Sequence, residues 1–431
     1  MALTDAVNAM LSDLISIRRD LHKHAESGWT EFRTTALLIE ALQALGYEVA
    51  YGRQIHNPAF MAGLPEPAAL AQHMQRAVEQ GANPTLVAAM EGGMTGCVAT
   101  LRCGEGPTIA VRCDIDALDQ IETVAPDHLP NQNGFASINP GMMHACGHDG
   151  HAVIGLGIAR LLMANKAKLR GTIKLIFQPA EEGVRGARSL VEAGIVDDVD
   201  YLLGAHLGFE AKETGLLICG TGGFLATSKL DAHFTGVPAH AGAAPQEGKN
   251  AMLAAAAAVL NLHAIARHSK GASRINVGTL QAGTGRNVVP AHATLKLETR
   301  GEDSAINAYM QAEAERVLQA SAQMWDCGLR IVPQGSAAGA VSDQALSSLV
   351  ERIAKECPAV QKIQPFGLLG GSEDVTWMME RVQSRGGQAT YLMVGSKIAA
   401  PHHDSRFDFD EASIGIGVEV ITRTILELAG R

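Results

Sequence analysis

Apolar and polar positions change period repeatedly along this chain, and the changes outline its elements. The opening stretch "MALTDAVNAMLSDLISIRRD" places Val7, Met10, Leu11 and Leu14 at helical spacing, which predicts an amphipathic helix. "RTTALLIEALQALGYEVA" keeps the helical period up to a stop at Gly46 and then turns to a strand. Residues 53–92 are rich in Pro, Met, Ala and Gln without a strand pattern, and read as an inserted helical excursion. Four β-rich runs follow: "TIAVRCDIDA" (108–117), "GTIKLIFQ" (171–178), "DYLLGAHLG" (200–208) and "ATYLMVG" (389–395). A helical pattern over 151–165 separates the first two, and "GARSLVEAG" reads as a short helix. Apolar runs alternating with helices predict an α/β fold on a mostly parallel sheet covered on both faces.

Residues 224–336 form a separate block. The pattern reads strand 226–235, helix 248–267, strand 274–282, strand 288–299, helix 303–325 and strand 328–333. That βαββαβ order is the ferredoxin-like α+β arrangement. The α/β domain resumes with a helix near 342–356 and closes with one over 411–428. One domain, 224–336, is therefore expected to be inserted into another made of 1–223 and 337–431.

Composition narrows the partners. The chain has 431 residues, 47% hydrophobic and 19% charged, which suits globular domains with proper cores. A net charge of −10 argues against nucleic acid or an anionic membrane surface as partner and leaves a small molecule. The longest small-apolar stretch, "AMLAAAAAVLNLHAIA", is too short and too alanine-rich to span a bilayer, and no leader is expected. Seven cysteines, an odd number spread thinly, argue against a disulfide framework, and the cytoplasm is the expected compartment.

Candidate chemistry centres on "GMMHACGHDGH" (141–151), which crowds Cys146, His148 and His151 together with His144 and Asp149. Asp114 and Asp116 follow one predicted strand, Glu181 and Glu182 follow another, and His206 ends a third. Ligands of open α/β sheets bind beyond the carboxyl ends of the strands, so these residues are expected at one rim. Each has a plainer reading. Cys146 alone suits a small core residue, His206 a hydrogen-bonded core histidine, the Glu181–Glu182 pair the first turn of a helix, and "HHD" at 402–404 a polar turn. Together these readings would bury many titratable groups at one place without purpose. No CxxC, HExxH, Walker loop or GxSxG elbow occurs. A cysteine nucleophile served by nearby imidazoles remains an alternative. The acidic doublet favours a hydrolytic metal centre, where one carboxylate binds metal and its neighbour takes the proton of water.

The segments "RRDLHKHAESGWTEFRT", "RCDIDAL", "MMHACGHDGH", "IFQPAEEG", "GVPAHAGAAPQEGKNA", "GRNVVP", "GSEDVT" and "HHDSRFDFDE" stand in the order seen in metal-dependent amidohydrolases. The chain resembles that family, which includes hippurate hydrolase, auxin-conjugate hydrolases, aminoacylase and bacterial carboxypeptidases, over essentially its whole length. The resemblance implies a dinuclear-metal catalytic domain with a ferredoxin-like lid that also mediates dimerisation. The implied ligands are Cys146, His148, Glu182, His206 and a histidine of "HHD", with His403 favoured over His402. Glu181 matches the general base and Asp116 the acid that orients a ligand, while Asp114 stands where many relatives have a ligating histidine. In the lid, His240 would reach a neighbouring subunit's site to polarise the amide oxygen. Asn287 and Arg300 would hold the carboxylate of the released amino acid, and Arg286 is a candidate second anchor. The implied cofactors are two divalent ions per subunit, Mn2+ or Zn2+. The implied substrate is an N-acyl amino acid, and the wording of the motifs is most similar to the branch that cleaves p-aminobenzoyl-glutamate. A broad N-acyl amino-acid or auxin-conjugate hydrolase is the alternative, and a non-catalytic subunit the remote one. A homodimer through the lid is expected, with a related second subunit left open.

Overall fold

A computed structural model describes residues 3–430; the remaining positions of the expected first domain, 1–2 and 431, lie outside the described residues. The chain divides into two compact units. The first comprises everything up to Gly222 together with Ala340–Leu369 and the chain from Asp374 onward; the second comprises Gly223–Gly339 and Gly370–Glu373.

The first unit is built on an eight-stranded mixed sheet. Its spatial order is Glu48–Tyr51, Cys97–Arg102, Thr172–Gln178, Thr108–Asp114, Tyr201–Leu207, Gln388–Val394, Leu216–Ile218 and Lys362–Gln364. The four central strands, Thr172–Gln178, Thr108–Asp114, Tyr201–Leu207 and Gln388–Val394, run parallel. They are the four runs expected from sequence, and they are buried at nearly every position, which is why they read as continuous apolar stretches. Cys97–Arg102 pairs antiparallel with both of its neighbours. The opening helix runs Leu3–Lys23 and buries Val7, Leu14 and Leu21, with Met10 and Leu11 half-buried against the same core. Within the expected insertion, helices form at Pro67–Glu79 and Pro84–Ala89, each with a proline in its first turn.

The helix His148–Ala164 begins three residues before the apolar period does. It is buried almost all round, as its poor amphipathicity requires. Gly155 lets it close on the sheet: a Cβ there would lie 2.6 Å from the Phe177 ring. Gly147, at φ +89, turns the chain from Cys146 into the helix in a conformation other side chains resist.

The second unit contains the six elements expected for it. They are Ala226–Thr235, Ala251–His263, Ser273–Ala282, His292–Gly301, Ser304–Met324 and Gly328–Ala337. The sheet is antiparallel throughout, with the last strand beside the first, the first beside the third and the third beside the second. Asn250 and Asp303 cap the two helices by accepting from Leu253 N–H and Ile306 N–H. Ala254, Ala255, Ala258, Leu295, Leu297, Met310 and Leu318 form its own apolar core.

Candidate metal centre

Strand ends of the first unit deliver the chemistry-bearing side chains to one place. Asp114 closes the Thr108–Asp114 strand, and Asp116 lies just past it. Glu181 and Glu182 follow Thr172–Gln178, and His206 is the penultimate residue of Tyr201–Leu207. Cys146 and His148 flank Gly147 at the helix start. His403 lies in the loop after Gln388–Val394, with φ +67.

Ligand atoms of Cys146, His148 and His206 lie within 4.8 Å of one another, and so do those of Cys146, Glu182 and His403 and those of His148, Glu181 and Glu182. Cys146 Sγ is 3.5 Å from His206 Nε2, although sixty positions of sequence separate them. His206 donates Nδ1–H to its neighbour's carbonyl, Leu207 O, at 2.8 Å, which fixes the ring and turns Nε2 towards the thiol. Burial and the neighbouring imidazoles hold His206 well below its usual pKa, so it stays neutral, the form that binds metal. Burial opposes charge on His148 as well, but Asp114 and Asp116 outweigh it and push that imidazole up to about 10. His148 thus sits in a field of buried negative charge, where a bound cation is favoured. His148 Nε2 is buried without a hydrogen-bond partner, and Glu182 Oε1, 3.3 Å from His403 Nε2, makes no aligned hydrogen bond. Buried groups left open in this way cost folding energy unless something fills them. A soft thiol, three imidazoles and a carboxylate form a donor set suited to a divalent transition ion.

The doubled histidine separates cleanly. His402 donates Nε2–H to Leu207 O at 3.0 Å and stacks on Phe209, while His403 faces Glu182. Burial depresses His402 to about 4. His151 is no open ligand either: its Nδ1 bonds Asp114, and its Nε2 accepts Leu207 N–H at 2.9 Å. Asp114 is further committed to Arg112, whose Nη1 donates to it at 2.6 Å, and this holds its carboxyl well below the usual range against the opposing effect of burial.

Asp116 serves three neighbours. Its Oδ1 lies 3.3 Å from His148 Nδ1, and its two oxygens accept Glu181 N–H at 3.0 Å and Glu182 N–H at 2.9 Å. The acidic doublet does not open a helix, contrary to the plainer expectation. It occupies a turn, and the next helix, Ala187–Glu192, starts five residues beyond Glu182. Ala180 (φ +53), Gly183 (φ +86) and Val184 (φ +59) give that turn left-handed backbone, at a cost on the order of 1 kcal/mol for each non-glycine. Helical geometry would have pointed adjacent side chains about a hundred degrees apart. The turn instead brings both carboxylates near His148.

The lid candidates all lie in the second unit. His240 is exposed, and its Nδ1 accepts Gly242 and Ala243 N–H. Asn287 is its neighbour, since His240 bridges Val288 and Ala241 N–H donates to Asn287 O. Arg286 is exposed beside it. Arg300 stands apart, near the far end of the His292–Gly301 strand, where it pairs in bidentate fashion with Glu298 at 2.9 and 3.2 Å. A strand of that length spans roughly 30 Å. Asn287 and Arg300 of one chain therefore do not form a joint carboxylate clamp within this unit.

Three residues with no assigned role prove central: Glu31, Arg112 and Asp374. Arg112 was detectable in principle, being a charge within a wholly buried strand, where it must have partners. Its Nε donates to Gln178 Oε1 at 2.8 Å and its Nη2 to Asp374 Oδ1 at 3.2 Å. Glu31 and Asp374 stand in two of the ordered segments, "GWTEFRT" and "GSEDVT", yet their partners are far away in sequence.

An α/β sheet whose strand ends converge on a thiol, imidazoles and paired acids defines a metallohydrolase. The chain belongs to the peptidase family M20/M25/M40, whose pattern matches residues 110–427. It is 51% identical over 427 residues to a chain of the p-aminobenzoyl-glutamate hydrolase of Escherichia coli (strain K12), covering 99% of this chain and 98% of that one. It is 49% identical to the indole-3-acetyl-aspartic acid hydrolase of Enterobacter agglomerans, covering 98% of each. The crystal structure of an aminobenzoyl-glutamate utilization protein from Klebsiella pneumoniae superposes with a TM-score of 0.87 at 42% identity, covering 99% of this chain and 98% of that chain. No helix among the described residues is long and apolar enough to cross a membrane.

Proposed function

We propose that this chain hydrolyses the amide bond of N-acyl acidic amino acids, with p-aminobenzoyl-glutamate as its principal substrate, releasing p-aminobenzoate and glutamate. The observation that carries the reading is the cluster of Glu181, Glu182 and His148, beside the Cys146–His206 pair. The two curated relatives support the substrate class: by name, one acts on an aroyl-glutamate and the other on an indolylacetyl-aspartate. Both substrates join an aromatic acyl group to a dicarboxylic amino acid.

In this reading Cys146, His148, Glu182, His206 and His403 hold two divalent ions, Mn2+ or Zn2+. Cys146 belongs to two of the groups, one with His148 and His206 and one with Glu182 and His403. When bound, such ions acidify a water and polarise the scissile carbonyl. Glu181 takes the proton from that water and returns it to the departing amino-acid nitrogen. Asp116 fixes His148 through Nδ1 and so decides which nitrogen faces the ligand cluster. His240 donates to the developing oxyanion, a contact worth on the order of 3 kcal/mol. Asn287, Arg286 and Arg300 receive the carboxylates of the amino-acid part. Because Asn287 lies in the turn that precedes the His292–Gly301 strand and Arg300 near the strand's far end, the reading assigns them to different protomers of a homodimer that exchange lid residues. Seven free cysteines suit a reducing cytoplasm.

Purified protein reconstituted with Mn2+ or Zn2+ and offered p-aminobenzoyl-glutamate, indole-3-acetyl-aspartate and hippurate tests the proposal. The expected ranking of kcat/KM puts the first substrate at the top and hippurate, whose glycine lacks the second carboxylate, at the bottom. A preference for hippurate removes the acidic-substrate reading and favours a broad acyl-amino-acid hydrolase. Turnover that survives chelation but dies with iodoacetamide points to a cysteine nucleophile instead.

A further inference from the structure

The turn carrying Glu181 and Glu182 is held through its backbone by three buried acids. Glu31 Oε1 accepts Ala180 N–H at 2.8 Å. Asp116 accepts the N–H groups of Glu181 and Glu182. Asp374 Oδ2 accepts Gly186 N–H at 3.0 Å and Ala187 N–H at 2.9 Å. Five consecutive or near-consecutive amides are thus tied down on both sides of the doublet, in a segment whose backbone is left-handed at Ala180, Gly183 and Val184. Glycine could adopt those angles freely; alanine and valine do so only where the surroundings impose them.

Of the three acids, Asp116 also serves His148, and Asp374 also pairs with Arg112. Glu31 differs. It sits fully buried at the start of the helix Phe32–Ala44, and its side-chain hydrogen bonds come from two neutral donors, Ala180 N–H and the Thr95 hydroxyl at 2.6 Å. Both oxygens are therefore engaged, one on the turn and one on a support that fixes the side chain. Burial and the charge of Asp116 push its carboxyl up to about 8, and either protonation state leaves Oε1 able to accept from Ala180. Removing Glu31 strands no cation, but it leaves Ala180 N–H buried without its acceptor, one residue before the proposed base.

We infer that Glu31 is a positioning residue for the amidohydrolase reaction: its carboxyl group, braced by Thr95, imposes the left-handed backbone at Ala180 that aims Glu181 and Glu182 at the ligand cluster. The inference rests on the reading of Glu181 as the base. Glu31 itself touches none of the proposed ligands. What the turn requires is an acceptor of the right reach. A glutamine in its place would retain a carbonyl oxygen for Ala180 N–H, whereas alanine has none and aspartate is one methylene short.

Full-length protein carrying Glu31→Ala or Glu31→Gln, metal-free and zinc-loaded, tests this by hydrogen–deuterium exchange and steady-state kinetics. Amides of the 180–187 segment exchange at least about tenfold faster in the alanine variant in both forms, and within about threefold of wild type in the glutamine variant. In the loaded enzyme the alanine variant loses about ten- to a hundredfold in kcat with little change in KM, the expected cost of a misplaced group, and glutamine restores most of it. Unchanged exchange and kcat in the alanine variant overturn the inference, as does a glutamine variant as impaired as alanine. If Glu31→Ala does not fold, Glu31→Asp takes its place, with the same outcomes deciding. A loaded wild type without amide hydrolysis defeats the proposed function, and the exchange comparison then still decides whether Glu31 holds the turn.

Discussion

Glu181 and Glu182 are adjacent, chemically identical, and assigned different work. Glu182 groups with Cys146 and His403 and leaves Oε1 without an aligned hydrogen bond, while Glu181 approaches His148 and Glu182 from within the same turn. Glu181→Gln is therefore expected to lower kcat by roughly 10²- to 10⁴-fold, the usual contribution of a general base, with bound metal unchanged by elemental analysis. Glu182→Gln is expected to lose metal in the same assay. Equal metal loss in both variants would contradict the division of roles. The neighbouring histidines permit a second comparison. His403→Ala should weaken metal binding by more than about tenfold, whereas His402→Ala, which removes ring contacts with Phe209 and Phe407 and one of the two donors to Leu207 O, should bind metal within a few-fold of wild type. Metal-buffer titration measures both. Much at this scale was legible, because sulfur, imidazole and carboxylate crowd together in few other settings. Glu31 was not, since one carboxylate ahead of a helix looks the same whether it meets solvent or the amide of Ala180.

At the scale of elements, the segment that departs most from expectation is 179–187. Proline followed by two acids reads as a helix start, and the chain makes a left-handed turn instead because Glu31, Asp116 and Asp374 bid for its amides. Tertiary acceptors overrode local preference there. The strand Cys97–Arg102 is hard to read for a different reason: it is short, and half-buried Thr100 and exposed Arg102 interrupt its buried positions, so it shows neither a continuous apolar run nor a sustained alternation. The helix His148–Ala164 starts before its apolar period because its first turn buries polar side chains, His148, Asp149 and His151, in place of apolar ones. His56 ties the chain at Thr95 to the helix Ala187–Glu192. Its Nε2–H donates to Thr95 O at 2.7 Å and its Nδ1 accepts from the Ser189 hydroxyl at 2.6 Å, a pattern that suits the neutral ring. Burial lowers its pKa to about 4, against the modest opposing effect of Thr95 O. The unfolded chain binds this proton first, so the contribution is complete above about pH 6.5 and fades as pH falls towards 4, on the order of 3 kcal/mol in all. Urea midpoints across that window should fall less steeply for His56→Asn than for wild type. Parallel slopes would show that His56 does not set the acid limb.

The whole molecule was the most legible level. Alternating apolar runs and helices announced the parallel centre of the first sheet, and the βαββαβ order read from sequence is the order of elements between Ala226 and Ala337. Both depend on long periodic segments, where pattern is strongest. The return of Gly370–Glu373 to the second unit had no such pattern, being a short glycine-rich link. The mixed edge of the large sheet was hidden for a similar reason: Leu216–Ile218 and Lys362–Gln364 are three residues each. Strands so short carry no period. What unites the levels is a cluster assembled from four strand ends and one helix start, none of which carries the proposed ligand set alone. The sharpest test is to strip metal from purified protein, restore it stepwise with Mn2+ or Zn2+, and follow bound metal together with p-aminobenzoate release from p-aminobenzoyl-glutamate. A two-ion hydrolase shows no release when stripped and a recovery that saturates at two ions per chain. Full turnover in stripped protein, or saturation with no ion bound by Cys146 and His206, would contradict it.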